Sequence, residues 1–203
     1  MPDNIAEKLL DSATELFLER DFHSVSIREL AANAHTSSGM IKYYFSNKQG
    51  LFEAMLTREY GRILQVLKDV ISQDTLLDFS AVINRVLSLY EANPNMPRFI
   101  IKTYLLRQGP GSHLLRQWFE QEKRMVDRWV DEVIAEGKID RNTNGEVVRI
   151  AVMALTLLPG LIIDHLKQSY SESGYQEFRH QYIEYTGEML LNSVKPRSRK
   201  TSK

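Results

Sequence analysis

The sequence predicts an all-α protein of about nine helices, and three observations support this fold class. Apolar residues recur every three or four positions through most of the chain, which places them on one face of a helix. Short stretches rich in Pro, Gly and Asn separate these segments, for example "GPG" at 109–111 and "DRNTNG" at 140–145. No alternation of apolar and polar residues is long enough for a β-strand.

The composition fits a globular chain without covalent crosslinks. With 203 residues the chain can bury a core, and because it has no cysteine it forms no disulfide and no thiolate metal site. One Glu-x-x-His arm at 177–180 lacks a second arm, so neither a metal nor another cofactor is predicted. The N-terminal residues do not resemble a signal peptide, which predicts a cytoplasmic protein.

The first two helices are marked by their capping residues. Asp3 or Asn4 can cap a first helix that ends near Asp21, and Ser26 opens a second helix with Glu29 three residues later. Ser26 and Glu29 can form a capping box, in which each side chain satisfies a free backbone N–H. The expected buried face of the second helix consists of Ile27, Leu30, Ala31 and Ala34.

A polar break at 36–39 separates the second helix from a short third one. Ser37 is the predicted cap of this third helix, and Ile41 and Phe45 lie one turn apart on its inner face. Asn47 is then expected to cap a long fourth helix. Five further helices are predicted at 75–92, 96–107, 112–136, 144–169 and 175–193.

The segment 147–163 is almost entirely apolar, which raises the alternative of a membrane span. The alternative is disfavoured because the segment is short for a bilayer, contains Arg149 and Pro159, and leads into Asp164 and His165. A helix that is apolar on all sides is usually buried in a bundle or in a subunit interface. No membrane partner is therefore predicted.

Charge is distributed unevenly along a chain whose formal net charge is zero. Residues 1–60 carry six Lys/Arg against nine Asp/Glu, a balance of −3 that counts against a nucleic-acid binder. Most of these acids belong to the first helix, whereas the basic residues Arg28, Lys42 and Lys48 lie further along the chain. The last nine residues, 195–203, carry five basic side chains and no acid, and are expected to form a disordered basic tail.

The second and third helices have the lengths and spacing of a helix-turn-helix unit packed on a preceding helix. In such units the second of the two helices enters the DNA major groove while the first crosses the backbone. With Ile41 and Phe45 facing inward, Lys42, Tyr43 and Tyr44 lie on or beside the outer surface of the third helix. Their hydroxyl and ammonium groups can meet phosphates there, and their rings can lie against sugars or thymine methyl groups.

Residues 5–60 resemble the DNA-binding domain of the TetR family of bacterial repressors. The similar features are the small-residue turn, the Ser-x-Gly start of the third helix, the "YF" pair and the Asn-Lys that opens the fourth helix, all near "SSGMIKYYFSNKQGLFEAML". The resemblance implies a homodimer. It also implies a DNA-binding domain at 1–48, a helical ligand-binding and dimerisation domain at 49–194, and the tail at 195–203.

The resemblance implies that operator DNA, which is double-stranded, is the partner of the N-terminal domain. Tyr44 and Lys48 are matched to phosphates and Lys42 to a base edge. Two alternatives stay open, because Tyr44 could be a packing residue and Arg28 could simply pair with Glu29. The DNA-binding residues implied in this way are Arg28, Ser37, Ser38, Gly39, Met40, Lys42, Tyr43, Tyr44 and Lys48.

The chain departs from the family pattern in the turn and in the third helix. Where Gly-Val is usual it has His35-Thr36, so His35 is expected to adopt a left-handed backbone conformation. Lys42 stands where Tyr is common, and Met40 where Thr is common. The resemblance therefore does not predict the operator sequence.

Side chains on the C-terminal helices are candidates for a pocket that binds a small-molecule effector, which the sequence does not identify. Arg149 and His165 could orient a ligand or, alternatively, belong to a buried or interface ion pair. The candidate ligand-binding residues are Tyr90, Phe99, Tyr104, Trp118, Met125, Trp129, Arg149, Met153 and His165. The candidate residues for a dimer interface between the last two helices are Leu155, Leu158, Leu161, Ile162, Met189 and Leu190.

The sequence thus predicts a transcriptional repressor without catalytic function, released from a palindromic operator when a small molecule binds. One alternative is an activator of the same shape, or a regulator that needs no ligand. The other is an all-α enzyme or protein-interaction module in which the helix-turn-helix is only architectural. No nucleophile-base or metal constellation in the sequence supports an enzyme.

Overall fold

The computed structural model of the protein describes residues 5–72, 77–102 and 110–196. This part of the chain forms ten α-helices and a short 3₁₀ helix, Phe22–Ser24, and it contains no β-strand, so the all-α prediction is confirmed. The predicted residues Asp3, Asn4 and Tyr104 and most of the basic tail lie outside the described residues. The helices are α1 Ile5–Glu19, α2 Ile27–Asn33, α3 Ser38–Phe45, α4 Lys48–Ser72, α5 Phe79–Ala92, α6 Asn95–Ile100, α7 Ser112–Ala135, α8 Gly145–Leu161, α9 Ile163–Ser169 and α10 Glu172–Val194.

The chain divides into two compact units, of which the first consists of Met1–Ile63 and Asn95–Trp118. Its core lies between α1, α2, α3, the first half of α4 and α6. Phe52 of α4 meets two rings edge to face, Phe17 at 4.9 Å and Phe22 at 5.2 Å between ring centroids. Aromatic pairs favour this geometry, and here it packs the chain that connects α1 to α2 against α4.

The second unit consists of Leu64–Pro94 and Phe119–Lys203. Its core is formed by the facing sides of α5, α7, α8 and α10, with Ile83 and Trp129 among the buried side chains. α5 and α10 approach each other closely, since a Cβ at Gly187 would lie 2.1 Å from the Ser80 Oγ. Glycine is therefore required at this crossing of α5 and α10.

The prediction of one helix at 144–169 is wrong, because α8 ends at Leu161 and α9 continues at an angle of 58° to it. Pro159 has no N–H to donate to the carbonyl of Leu155, four residues earlier. That carbonyl instead accepts a hydrogen bond from the Tyr182 hydroxyl of α10 at 2.8 Å. Within the described residues no single helix has the length and apolarity to cross a bilayer. The helices α8 and α9 have that length and apolarity only when they are counted together, and they are bent at the break between them.

The other downstream helices were predicted with small errors at their ends. α5 begins only at Phe79, where Asp78 accepts a hydrogen bond from the backbone N–H of Ala81 at 2.9 Å. α10 begins three residues before the predicted start at 175, because Ser171 caps it through the N–H of Gly174. α6 ends at Ile100, and residues 103–107 of the predicted helix 96–107 lie outside the described part of the chain.

Candidate nucleic-acid interface

The capping box that opens α2 is present as predicted. The Oγ of Ser26 accepts from the N–H of Glu29 at 3.2 Å, and the Glu29 carboxylate accepts from the N–H of Ser26 at 2.7 Å. Arg20 adds a salt bridge to Glu29 at 2.7 Å. Arg20 first, and then Ser26, lower the pKa of Glu29 to about 2. The salt bridge thereby joins the start of α2 to Arg20, the residue that follows α1.

Pairing of Arg28 with Glu29 does not occur, because Glu29 is bound by Arg20. Arg28 is exposed and has no ion-pair partner among the described residues. The predicted buried face of α2 is correct for Leu30, Ala31 and Ala34 but wrong for Ile27, whose side chain is 39% exposed. Ile27 is the first residue of α2, and its side chain stays exposed although Leu30 and Ala31 in the next turn are buried.

The turn between α2 and α3 is a Schellman motif. The N–H of Thr36 donates to Ala31 at 2.9 Å, and the N–H of His35 donates to Ala32 at 3.0 Å. This motif requires a left-handed residue at its centre, and His35 has φ 53°, as the departure from the family pattern predicted. This turn ends α2 and changes the direction of the chain before α3 begins at Ser38.

The inner face of α3 is formed by the two predicted residues, since Ile41 is buried and Phe45 packs against the core. Ser37 occupies the N-cap position but its side chain makes no capping hydrogen bond, so the predicted capping role of its hydroxyl is wrong. Gly39 is exposed in the first turn, and a Cβ there would meet only the Ser37 Oγ, at 3.7 Å. The packing of the protein itself therefore does not require a glycine at position 39.

The outer face of α3 carries Lys42, Tyr43 and Tyr44. Tyr43 is 77% exposed and Tyr44 44% exposed, with their rings edge to face at 4.8 Å. Lys42 is exposed as well, and none of the three side chains makes a hydrogen bond to another described residue. Met40, in contrast, packs partly against the core. We call the exposed set the reading face: Arg28, Ser37, Ser38, Gly39, Lys42, Tyr43 and Tyr44.

Lys48 was predicted to contact a phosphate, but its side chain is not part of the reading face. Its Nζ donates to the carbonyls of Phe22 at 2.8 Å and Val25 at 2.9 Å, and it lies 4.3 Å from the centroid of the Phe22 ring. Desolvation by burial lowers the pKa of this ammonium. Lys48 thus holds the connection between α1 and α2 on α4, where its neighbour Asn47 caps the helix through the N–H of Gly50 at 2.9 Å.

The acidic side chains of α1 are engaged in part by α4. Arg58 contacts the carboxylates of Asp11 at 2.8 Å, Glu59 at 2.9 Å and Glu7 at 3.1 Å. Three of the nine acids of residues 1–60 therefore share one guanidinium, and Glu59 also pairs with Arg62 at 3.1 Å. The net charge of −3 in residues 1–60 therefore does not apply to the reading face, which contains Arg28 and Lys42 and no acidic residue.

The candidate ligand residues are divided between the two compact units. Phe99 and Trp118 belong to the first compact unit, where Trp118 stacks on Tyr60 at 4.8 Å. Tyr90 and Trp129 are buried in the second unit, Met125 and Met153 are partly buried there, and His165 is exposed on α9. His165 follows the break at Ile162 and therefore lies on a different helix from Arg149 and Met153, whereas the prediction had one helix at 144–169.

Arg149 belongs to a polar cluster in the second unit. It makes two hydrogen bonds to Glu146, at 2.9 and 3.0 Å, and reaches Glu122 at 3.4 Å. This is the ion pair that the sequence left open as an alternative. Burial and the nearby Glu122 carboxylate raise the pKa of Tyr90, and the Thr156 hydroxyl of α8 donates to the Val152 carbonyl at 2.9 Å. The hydroxyls and the ion pair together form a polar region beside the apolar core.

Three of the six predicted dimer residues are exposed, and the other three are buried or half-buried. Leu158, Ile162 and Met189 are exposed, whereas Leu190 is buried in the core of its own unit, which corrects its assignment. Leu155 and Leu161 are half-buried. The exposed residues form what we call the apolar surface of α8 and α10, which also includes three residues that the sequence did not single out: Val147, Ile150 and Tyr185.

Packing of α1 to α3 around one core, with a Schellman turn before an exposed α3, defines a helix-turn-helix protein. Residues 9–55 match the family model described as bacterial regulatory proteins, tetR family. These residues therefore form a DNA-binding domain of the TetR type, as the resemblance of the N-terminal residues indicated.

Relatives and solved structures agree with this assignment. Over 120 residues the chain is 26% identical to the probable HTH-type transcriptional regulator YttP of Bacillus subtilis strain 168, and the match covers 55% of this chain and 58% of that protein. The fatty acid degradation regulator FadR from Bacillus halodurans has a similar fold, with a TM-score of 0.71 at 12% identity over 94% of this chain and 96% of that one. The transcriptional regulator FadR from Bacillus subtilis, solved in complex with stearoyl-CoA, has a TM-score of 0.64 at 18% identity over 93% and 98%. All three are named as regulators, and this chain spans less than two thirds of the length of YttP.

Proposed function

We propose that the protein is a dimeric transcriptional repressor that binds a palindromic operator and releases it when a small molecule binds its C-terminal helices. The observation that carries the proposal is the reading face. Its cations and hydroxyls have no partner among the described residues, whereas Lys48 and Arg58 nearby are fully engaged within the protein. Unpaired donors on a helix that fits the major groove are the groups that contact phosphates and base edges.

Within this proposal Lys42 reads a base edge and Tyr44 donates to a phosphate. Arg28, at the start of α2, contacts a base edge or a phosphate where that helix crosses the backbone. Gly39 allows the backbone of α3 to approach the DNA, since no side chain of the protein occupies the space beside it.

The apolar surface of α8 and α10 is proposed to be the dimer interface. Leu158 is 62% exposed and Tyr185 73% exposed, and large apolar side chains grouped in this way usually mark an interaction site. A second copy of the chain is the proposed occupant, because two identical surfaces meeting across a two-fold axis present two reading helices to a palindrome.

The effector is proposed to bind in the second unit near Tyr90 and Trp129, with the cluster around Arg149 as its orienting polar group. A ligand that binds better to the form unable to match the operator lowers DNA affinity by its difference in affinity for the two forms. Stearoyl-CoA, which the FadR of Bacillus subtilis binds, is a first compound to test for operator release. A regulator that activates or that needs no ligand would bind the same operator without release.

The test begins with selection of genome fragments by the purified protein, followed by sequencing. On the selected operator, Lys42→Ala should cost about 1 to 3 kcal/mol of binding free energy and relax the preference at one base pair per half-site. Binding to random DNA should fall much less. Lys68→Ala, at an exposed lysine of α4, removes the same charge outside the reading face and serves as the control. Equal binding by the parent and the Lys42 variant at several salt concentrations would exclude the proposed interface.

Gly39→Ala gives a second measurement in the same experiment. Alanine should stabilise α3 by up to about 1 kcal/mol, because glycine is a poor helix former and the space beside position 39 is open. Operator affinity should nevertheless fall, because the added methyl group meets the DNA. A variant that is destabilised and binds weakly would instead place Gly39 in the packing of the domain.

A further inference from the structure

The corner that joins α3 to α4 has an unusual backbone conformation at Ser46. Its φ is 67° and its ψ is −42°, whereas the left-handed region that non-glycine residues visit has positive ψ. The N–H of Asn47 donates to the carbonyl of Phe45 at 2.8 Å, so the corner is a γ-turn with Ser46 at its centre. γ-Turns with a positive φ at the centre are rare and strained.

The first turn of α4 lies directly against the carbonyl that this turn uses. A Cβ built at Gly50 would be 2.1 Å from the Phe45 carbonyl oxygen and 3.2 Å from its carbon. These are backbone atoms of another helix, so they cannot rotate away as a flexible side chain would. The last residue of α3 therefore sits between the N–H of Asn47 and the Cα of Gly50.

The core prevents the corner from relaxing. Ile41 and Phe45 attach α3 to it from one side, and Leu51 and Phe52 attach α4 from the other. Asn47 also holds the start of α4, through its side chain to Gly50 and its carbonyl to Leu51 at 3.1 Å. Strained residues persist where the surrounding structure determines their conformation in this way, and they are often found at functional sites.

We propose that Ser46 and Gly50 are positioning residues for DNA recognition, which fix the angle of α3 on α4 although neither contacts a base. The inference rests on the proposed function. A serine at this φ and ψ has few alternative conformations, whereas a glycine would have many. Because the core holds Ser46 at this φ and ψ, and serine has few other conformations that fit the corner, Lys42 and Tyr44 keep one orientation before DNA binds, so that binding does not have to order them.

Ser46→Gly tests the proposal, because its effects on stability and on binding should have opposite signs. The midpoint of thermal unfolding should stay or rise, since the strain is relieved. Operator affinity should fall by about tenfold, the size expected when the backbone freedom of one residue must be lost on binding. The dependence of affinity on salt should not change, because no phosphate contact is removed.

His35→Gly is the matched control, since it makes the same kind of change at the other non-glycine residue of positive φ in the described chain. The two hydrogen bonds of the Schellman motif hold that turn, so the variant should bind the operator as the parent does. Parental binding by Ser46→Gly overturns the proposal, and so does an equal loss in His35→Gly. A fall in the unfolding midpoint of Ser46→Gly also overturns it, because the residue would then be unstrained.

Amide hydrogen exchange separates this inference from the proposed function, because it needs no DNA. In Ser46→Gly the amides of Asn47 and Gly50 should exchange faster than in the parent, and those of α2 should not. If the parent selects no DNA, the proposed function fails while the exchange result still reports on the corner. Exchange at the parental rate overturns the rigid corner whatever the DNA result, and Gly50→Ala, if it folds, should show the same faster exchange and weaker binding.

Discussion

Glu29 is a single residue whose carboxylate serves two neighbours, the backbone N–H of Ser26 and the guanidinium of Arg20. Both partners favour the charged form, which is why the pKa of Glu29 falls from 4.5 to about 2. A group with a depressed folded pKa stabilises the fold above its unfolded pKa, and the stabilisation disappears as the pH falls through the folded value.

We expect Glu29→Gln to be less stable than the parent at pH 7, with a difference that shrinks below pH 4.5 and vanishes near pH 2. Glutamine can keep the capping hydrogen bond, so the variant isolates the charge. Urea unfolding across this pH range measures the difference. Arg20→Met removes the larger cause and should move the transition of the parent protein towards pH 4.5; a pH-independent difference would contradict the assignment.

Two other residues show which features depend on neighbours in the sequence and which depend on distant parts of the chain. His35 was expected to be left-handed because the turn needs such a residue at that position, and the structure agrees. Lys48 was expected at a phosphate, but its ammonium is bound by carbonyls of Phe22 and Val25, more than twenty residues earlier in the chain. Nothing in the sequence near Lys48 indicates those partners.

At the scale of elements, α8 shows how a neighbouring helix compensates a break. Pro159 leaves the carbonyl of Leu155 without its helical donor, and Tyr182 of α10 supplies the hydrogen bond. A half-buried carbonyl without a donor would be unfavourable, so α8 and α10 are held together at the point where α8 is weakest.

Tyr182→Phe should therefore lower the free energy of unfolding by about 1 to 3 kcal/mol, because it leaves this carbonyl unsatisfied. Tyr170→Phe, which removes a hydroxyl from an exposed ring, should have little effect. In a Pro159→Ala background the helix can supply its own N–H, so the cost of Tyr182→Phe should become smaller. Denaturant unfolding of the parent, the two single variants and the double variant measures this coupling, and equal costs in both backgrounds would show that the Tyr182 hydroxyl does not act through the Leu155 carbonyl.

At the scale of the whole molecule, the apolar surface of α8 and α10 is the proposed contact between two copies of the chain. A single reading helix recognises only a few base pairs, whereas a dimer places two of them on half-sites about one helical turn apart. The exposed side chains of this surface include Val147, Ile150 and Leu158 on α8, whose spacing keeps them on one face.

We expect the protein to sediment as a dimer at micromolar concentration and Leu158→Glu to shift it towards the 23.5 kDa monomer. The introduced carboxylate would be desolvated in the interface without a partner. Gln168→Glu, at an exposed position of α9, adds the same charge and should remain dimeric. A parent protein that sediments as a monomer would contradict both the interface and the palindromic operator.

The sequence by itself determined the helices, the capping box of Ser26 and Glu29, the inner face of α3 and the left-handed turn at His35. Each of these depends on residues within about one helical turn of one another, so periodicity and capping preferences are sufficient to predict them. The same local signals, with the "YF" and Asn-Lys motifs, indicated the TetR family.

Only the tertiary structure decided which groups stay available for other molecules. Arg28 is unpaired because Arg20 binds Glu29, Leu190 is buried while Met189 beside it is exposed, and Tyr182 meets a carbonyl 27 residues away. α8 is apolar on nearly all sides, so its own pattern could not show which side faces α5 and α10 and which remains exposed. Such outcomes depend on contacts between helices that are distant in the chain, because burial and pairing are properties of the packed molecule and not of a local sequence pattern.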